Sequence, residues 1–256
     1  MIVSLMKMLV VAATALLLAA CMTPAQNSSS GNYRESALME RARAHSDLAA
    51  AYFQQNKYEI ALTEFTEAVK IDPTYSPAYN GLGLVYAALG EDAKADANFL
   101  KAIQVQPTSS EAHNNYGSFL CARKRYDESI PHFLAAVKNP LYPTPNLAYA
   151  NAGICSARKN DIKNAEIYLN KALQLQPLTY SAAYQLADIQ FKRGETKTAK
   201  ATLQNVLIAS PTPESLWLAI KIERALGGRD NEASYALQLR QQYPNSEQAR
   251  LLLSGQ

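Results

Sequence analysis

The sequence predicts an all-α protein, a right-handed superhelical solenoid of about six helix pairs. Three observations carry that prediction. Prolines recur at a fixed interval: Pro73 and Pro107 are 34 residues apart, as are Pro177 and Pro211. Small and aromatic residues recur at constant offsets ahead of those prolines. Hydrophobic residues make up 48% of the 256-residue chain and charged residues 18%, which is material enough for a core.

Residues 76–109 set the frame, with Tyr79, Leu82, Gly83, Tyr86, Ala95, Phe99, Ala102 and Pro107. This is the tetratricopeptide pattern of aromatic, Leu-Gly, Tyr, Ala, Phe, Ala and Pro. Residues 42–75 repeat it with His45, Leu48, Ala49, Tyr52, Ala61, Phe65, Ala68 and Pro73. Residues 110–143 place His113, Tyr116, Gly117, Leu120, Ser129, Phe133 and Ala136 in the same frame. Further repeats are expected at 146–179 and 180–213, and the weakest at 214–247, with Trp217, Ile220, Ala233 and Leu237. Each repeat is read as two antiparallel helices. Small residues such as Gly83 and Ala95 let the two backbones approach, bulky ones fill the space between repeats, and proline stops the second helix. Gly90, Asn160 and Gly194 fall at the turns between paired helices. One pair cannot bury its apolar face alone, so the repeats stack. Residues 37–247 are assigned to this domain and 248–256 to a C-terminal cap.

Ahead of the repeats, residues 1–20 read MIVSLMKMLVVAATALLLAA: one basic residue, Lys7, then an apolar run and small residues. This is the pattern of a secretory signal, and the run is shorter than a membrane span. It ends in Leu18-Ala19-Ala20-Cys21. Those four residues resemble the lipobox of bacterial lipoprotein precursors. The resemblance implies cleavage before Cys21, acylation of its thiol and a stable lipid anchor, since several acyl chains hold where one does not. Met22 follows where aspartate would favour inner-membrane retention, so the expected address is the outer membrane. Residues 21–36 read as the lipidated cysteine and a flexible polar tether with a reach of roughly 20 Å.

The frame breaks once, at NPLYPTPN, 139–146, which carries three prolines and a two-residue insertion. It is either a tolerated loop or a shaped surface element presenting Tyr142 on a stiff frame. Several tempting motifs dissolve in the repeat. GLGLVYAALG, 81–90, has no strand before it, and Gly83 and Gly90 already have frame roles. His45 and His113 occupy the aromatic position, and no histidine pair has metal spacing. No catalytic constellation, cofactor motif or metal pattern is visible. The net charge of +3 is too balanced for nucleic acid. In an oxidising compartment disulfides persist. Cys121 and Cys155 lie on the first helices of neighbouring repeats, so a disulfide is expected between them; the alternative is two small buried thiols.

Function is left to the surface that the first helices line. Repeat position 5 points into that groove and holds Asn80, Asn114 and Tyr184; position 6 adds Asn115 and Asn151. A side-chain amide donates and accepts at once, which suits the backbone of an extended peptide. Arg158 and Lys192, at position 13, would add positive charge along the groove edge. The alternative is that the amides cap or bridge helices.

The lipobox, the six repeats, NNYGSFLCARKRYDESI in the third and LYP just after it together resemble the type IV pilus biogenesis and stability lipoproteins, known as PilW or PilF. That resemblance implies a non-enzymatic outer-membrane lipoprotein on the periplasmic face. Its implied partners are the secretin subunit, other pilus components, or both. A lipoprotein scaffold for β-barrel insertion or for cell-wall enzymes would share the anchor and the repeats, but not the third-repeat stretch.

Overall fold

The structure, a computed structural model, describes residues 28–255, with side chains from residue 35. The expected signal, Cys21 and the first part of the tether lie outside the described residues. Among the described residues thirteen helices run in order: α1 (Ser28–Gln54), α2 (Tyr58–Ile71), α3 (Ser76–Ala88), α4 (Asp92–Val105), α5 (Ser110–Ala122), α6 (Tyr126–Ala136), α7 (Pro145–Arg158), α8 (Ile162–Leu175), α9 (Tyr180–Lys192), α10 (Thr196–Ala209), α11 (Pro213–Leu226), α12 (Arg229–Gln242) and α13 (Glu247–Leu253). They form six antiparallel pairs and a one-helix cap. Each first helix packs on its own second helix and on the first helix of the next repeat. The second helix starts at the same repeat position in the first five repeats and one residue earlier in the sixth.

The tether expectation is corrected at one end. Residues 28–36 are helical and form the first turns of α1. That stretch holds no proline, and adding turns to an existing helix needs no new nucleus.

The first five pairs close where the first helix carries a small residue. In the second, third and fourth repeats a ring or branched side chain of the second helix sits where the first helix has a glycine, and the first and fifth repeats have a buried alanine there, Ala49 and Ala187. A Cβ on Gly83 would come within 2.7 Å of the Phe99 ring, on Gly117 within 2.9 Å of Phe133, and on Gly153 within 2.6 Å of Leu169. Phe99, Phe133 and Leu169 are fully buried there. Adjacent repeats lock through position 7: Leu82, Tyr116, Ala152, Leu186 and Ile220 are all buried. Leu48 holds that position in the first repeat yet is 44% exposed, because no repeat precedes it.

The turns recur too. Asn56, Gly90, Lys124, Asn160 and Gly194 all have positive φ at one repeat position. In the sixth repeat that residue is Gly227, one position earlier, and α12 starts a residue sooner. Its inward stripe therefore slides back by one residue. Leu239 is fully buried, whereas Leu237, expected inside, is 49% exposed and Ala233 is also exposed.

At the junction of the second and third repeats, Tyr116 donates to Asp96 Oδ1 (2.9 Å), and Arg125 bridges Asp96 and Glu128. Burial, then the Asp96 hydrogen bond, push the Tyr116 phenol up to about 12. His132 lies against the Tyr116 ring, with its Nδ1 2.9 Å from His113 Nδ1. His113 Nε2 is 3.1 Å from the Pro107 carbonyl. A carbonyl only accepts, so Nε2 carries a proton, and the Nδ1 pair shares one more. Two imidazolium rings would leave no acceptor between them.

Two outcomes follow from this packing. Gly83→Val should lower the unfolding free energy by about 1–3 kcal/mol, against a helix-propensity gain of under about 1 kcal/mol. Adding Phe99→Leu should recover part of the loss in urea unfolding. The second concerns pH. Burial, then His113, hold the His132 pKa below its ordinary 6.5, with Glu128 opposing. The unfolded chain therefore binds the proton more readily, so this contribution is present above about 6.5 and is lost as pH falls through the lowered folded value. Urea midpoints at pH 7.5 and 5.5 should differ more for the native chain than for His132→Gln.

Candidate partner-binding groove

Helices α3, α5, α7 and α9 lie side by side as successive first helices. Asn80 comes from α3, Asn114 and Asn115 from α5, and Asn151 from α7. The structure brings all four together. Asn115 Nδ2 donates to Asn80 Oδ1 (3.2 Å), and Asn151 Nδ2 donates to Asn114 Oδ1 (3.1 Å). The bridging alternative thus holds for one hydrogen bond of each amide, and an amide can make four. The NH₂ groups of Asn80 and Asn114 and the carbonyls of Asn115 and Asn151 are not used by these bridges. All four residues are half-buried. Two NH₂ groups and two carbonyls are thus carried by three adjacent helices. An extended peptide offers the same mixture of donors and acceptors along its backbone.

Further along, Tyr184 is half-buried among Ala187, Leu203 and Leu218. Burial, then Asp188 and Glu214, push its phenol pKa up. Lys192 is exposed and pairs with Asp188 on its own helix (2.6 Å). A cleft of about 340 Å³ lies beside them, lined by Asn160, Gln185, Asp188, Lys192 and Arg193 among others. The expected positive edge is therefore partly neutralised. Asp188 was not among the residues expected in the groove. Its place at position 9, one helical turn beyond position 5, was the signal. Arg158 is exposed at the end of α7 and does not join the amide row.

One candidate is withdrawn. Tyr142 is only 7% exposed, packed against Ala136 and Ala148, and burial pushes its pKa up. The proline-rich corner folds its largest apolar group inward, where it plugs the junction of α6 and α7. Leu141, 87% exposed, is the residue that the corner presents. Between α5 and α7, Cys121 and Cys155 face each other, with Cα atoms 5.9 Å apart, inside the usual span of a disulfide.

Helix pairs on one 34-residue frame, with a row of polar side chains on the first helices, define a tetratricopeptide protein. Family matches agree: the "TPR repeat" family covers residues 49–90, and "Tetratricopeptide repeat" families cover 76–109, 98–130, 148–177 and 181–212. More specifically, the chain is 31% identical over 210 residues to the type IV pilus assembly protein PilF of Pseudomonas aeruginosa (strain PAO1), covering 81% of this chain and 82% of that one. The solved structure of Pseudomonas aeruginosa PilF is matched with TM-score 0.78 at 29% identity, covering 86% of this chain and all of that one. The crystal structure of PilW, described as a widely conserved type IV pilus biogenesis factor, is matched with TM-score 0.74 at 32% identity, covering 83% and 98%. The chain belongs to the PilF/PilW family of tetratricopeptide proteins. An uncharacterised protein of Haemophilus influenzae is 27% identical over 139 residues, covering 54% of this chain and 75% of that one.

Proposed function

We propose that this chain is an outer-membrane lipoprotein that supports type IV pilus biogenesis by holding a protein partner in its first-helix groove. Lipid on Cys21 would deliver the solenoid to the periplasmic face. The partner would be an extended segment of the secretin subunit or of another pilus component. The amide row of Asn80, Asn114, Asn115 and Asn151, in a chain of this family, is the observation that carries the reading. The role is one of binding and positioning, not catalysis. Each amide would offer its remaining donor or acceptor to a backbone, so recognition would tolerate varied side chains.

Cys121 and Cys155 belong to the same reading as a bonded pair. In the chain-entropy account, closing their 34-residue loop stabilises the fold by roughly 3–4 kcal/mol. It would clamp the junction where the insertion falls, in a compartment where the bond persists.

Deleting the gene should reduce secretin multimers or surface pili; unchanged levels of both would reject the reading. Asn114→Ala together with Asn151→Ala should leave a folded protein by circular dichroism, since partly exposed hydrogen bonds contribute only about 0.5–1.5 kcal/mol each. The variant should nevertheless lose cross-linking to its partner in membranes. Thiol titration of the denatured, unreduced chain should find neither Cys121 nor Cys155 free, and recovery of two thiols there would remove the bond from the account.

A further inference from the structure

Repeat position 10 is apolar and buried in four successive repeats, as Val85, Phe119, Cys155 and Ile189. The sixth repeat puts Glu223 there, and it is 2% exposed. A buried carboxylate at a packing position is costly unless its oxygens are paired. One oxygen is: Lys200 Nζ on α10 lies 2.8 Å from Oε1. The other is not well served. Asn231 Nδ2 on α12 reaches Oε2 at 3.4 Å, the outer limit of a hydrogen bond. The local chain is adapted to this carboxylate, because a Cβ on Gly228 would come within 2.2 Å of Oε2.

The carboxylate lines a cavity of about 280 Å³ between α10, α11 and α12. Gln204, Asn231 and Tyr235 add polar groups to its lining, and Leu207 and Ile222 supply an apolar wall. The cavity is bounded by the second helices of the fifth and sixth repeats and by α11, and it shares no residue with the amide row. A carboxylate with one oxygen held only by a long hydrogen bond, further oxygen acceptors and an apolar wall together describe a receptor for a planar cation on an alkyl stem. Guanidinium matches this better than ammonium, because its five donors fan out in one plane while the stem lies on the apolar wall.

We infer that this cavity is a second binding site, one that takes an arginine side chain presented by a protein partner, with Glu223 as its counter-charge. Lys200 holds the carboxylate when the site is empty and competes with the incoming guanidinium. The inference does not depend on the amide row, and its test uses no pilus component.

The test is a titration of the ¹⁵N-labelled full chain in detergent with the peptide acetyl-Gly-Arg-Gly-amide, following the amide signals of Gly228 and Asn231. Those signals should shift saturably. The citrulline peptide, equal in shape but uncharged, should bind at least about tenfold more weakly, a difference of roughly 1.4 kcal/mol. Glu223→Gln should abolish the shifts, whereas Lys200→Gln should tighten binding about tenfold by removing the competitor. Equal binding of the two peptides, native-like binding by Glu223→Gln, or no saturable shift in the native chain would each overturn the site. If Lys200→Gln failed to fold, the two peptides and Glu223→Gln would still decide.

Discussion

The packing of a ring or branched side chain against a glycine is the contact on which the second to fourth repeats, and the amide row they carry, depend. Phe99 over Gly83, Phe133 over Gly117 and Leu169 over Gly153 set how closely the two helices of a repeat approach. Gly81 does the same between repeats, since a Cβ there would fall 2.2 Å from the Phe65 ring. Once the approach within a pair is fixed, the first helices must lie side by side at nearly constant spacing. The amide row exists because of that spacing. Asn115 meets Asn80, and Asn151 meets Asn114, through the same kind of neighbour contact one repeat apart.

Such a scaffold separates stability from recognition. The residues that close each repeat point between helices and are fully buried, while positions 5, 6 and 9 of the first helices are largely left to vary. Asn80, Tyr184 and Leu218 occupy the same repeat position, yet only Leu218 is fully buried. A groove built this way changes its chemistry along its length without changing its backbone. Here it runs from amides on α3, α5 and α7 to a phenol and an ion pair on α9.

Most of this was legible in the sequence because a period repeated six times averages out local ambiguity. Gly90, Asn160 and Gly194 could be placed at turns from one frame, and all three have positive φ. What was not legible lay where the period stops. Tyr142 sits in the insertion, and nothing in LYP says whether the tyrosine or the leucine turns inward; burial of the larger contact area decided it. The first-repeat Leu48 keeps the frame but lacks a neighbour to bury it. The sixth repeat misled because its turn is one residue shorter. That change moved the buried stripe from Ala233 and Leu237 to Leu239 without altering composition at all.

The sixth repeat also shows why a departure from the frame is informative. An apolar residue at position 223 would complete the fold more simply, and four preceding repeats use one. Glutamate needs Lys200 from the neighbouring repeat, a glycine at 228 and a cavity beside it. Three separate accommodations around one charged side chain are more than packing requires. Local rules are broken where a protein gives up packing for something else. The amide row follows the same logic less strongly, since polar residues on a half-buried face disturb little. The two sites lie on different helices of the solenoid, the row on α3, α5 and α7 and the cavity between α10, α11 and α12. A rigid scaffold with two separate contacts can hold two segments at a fixed separation, which neither contact alone would provide.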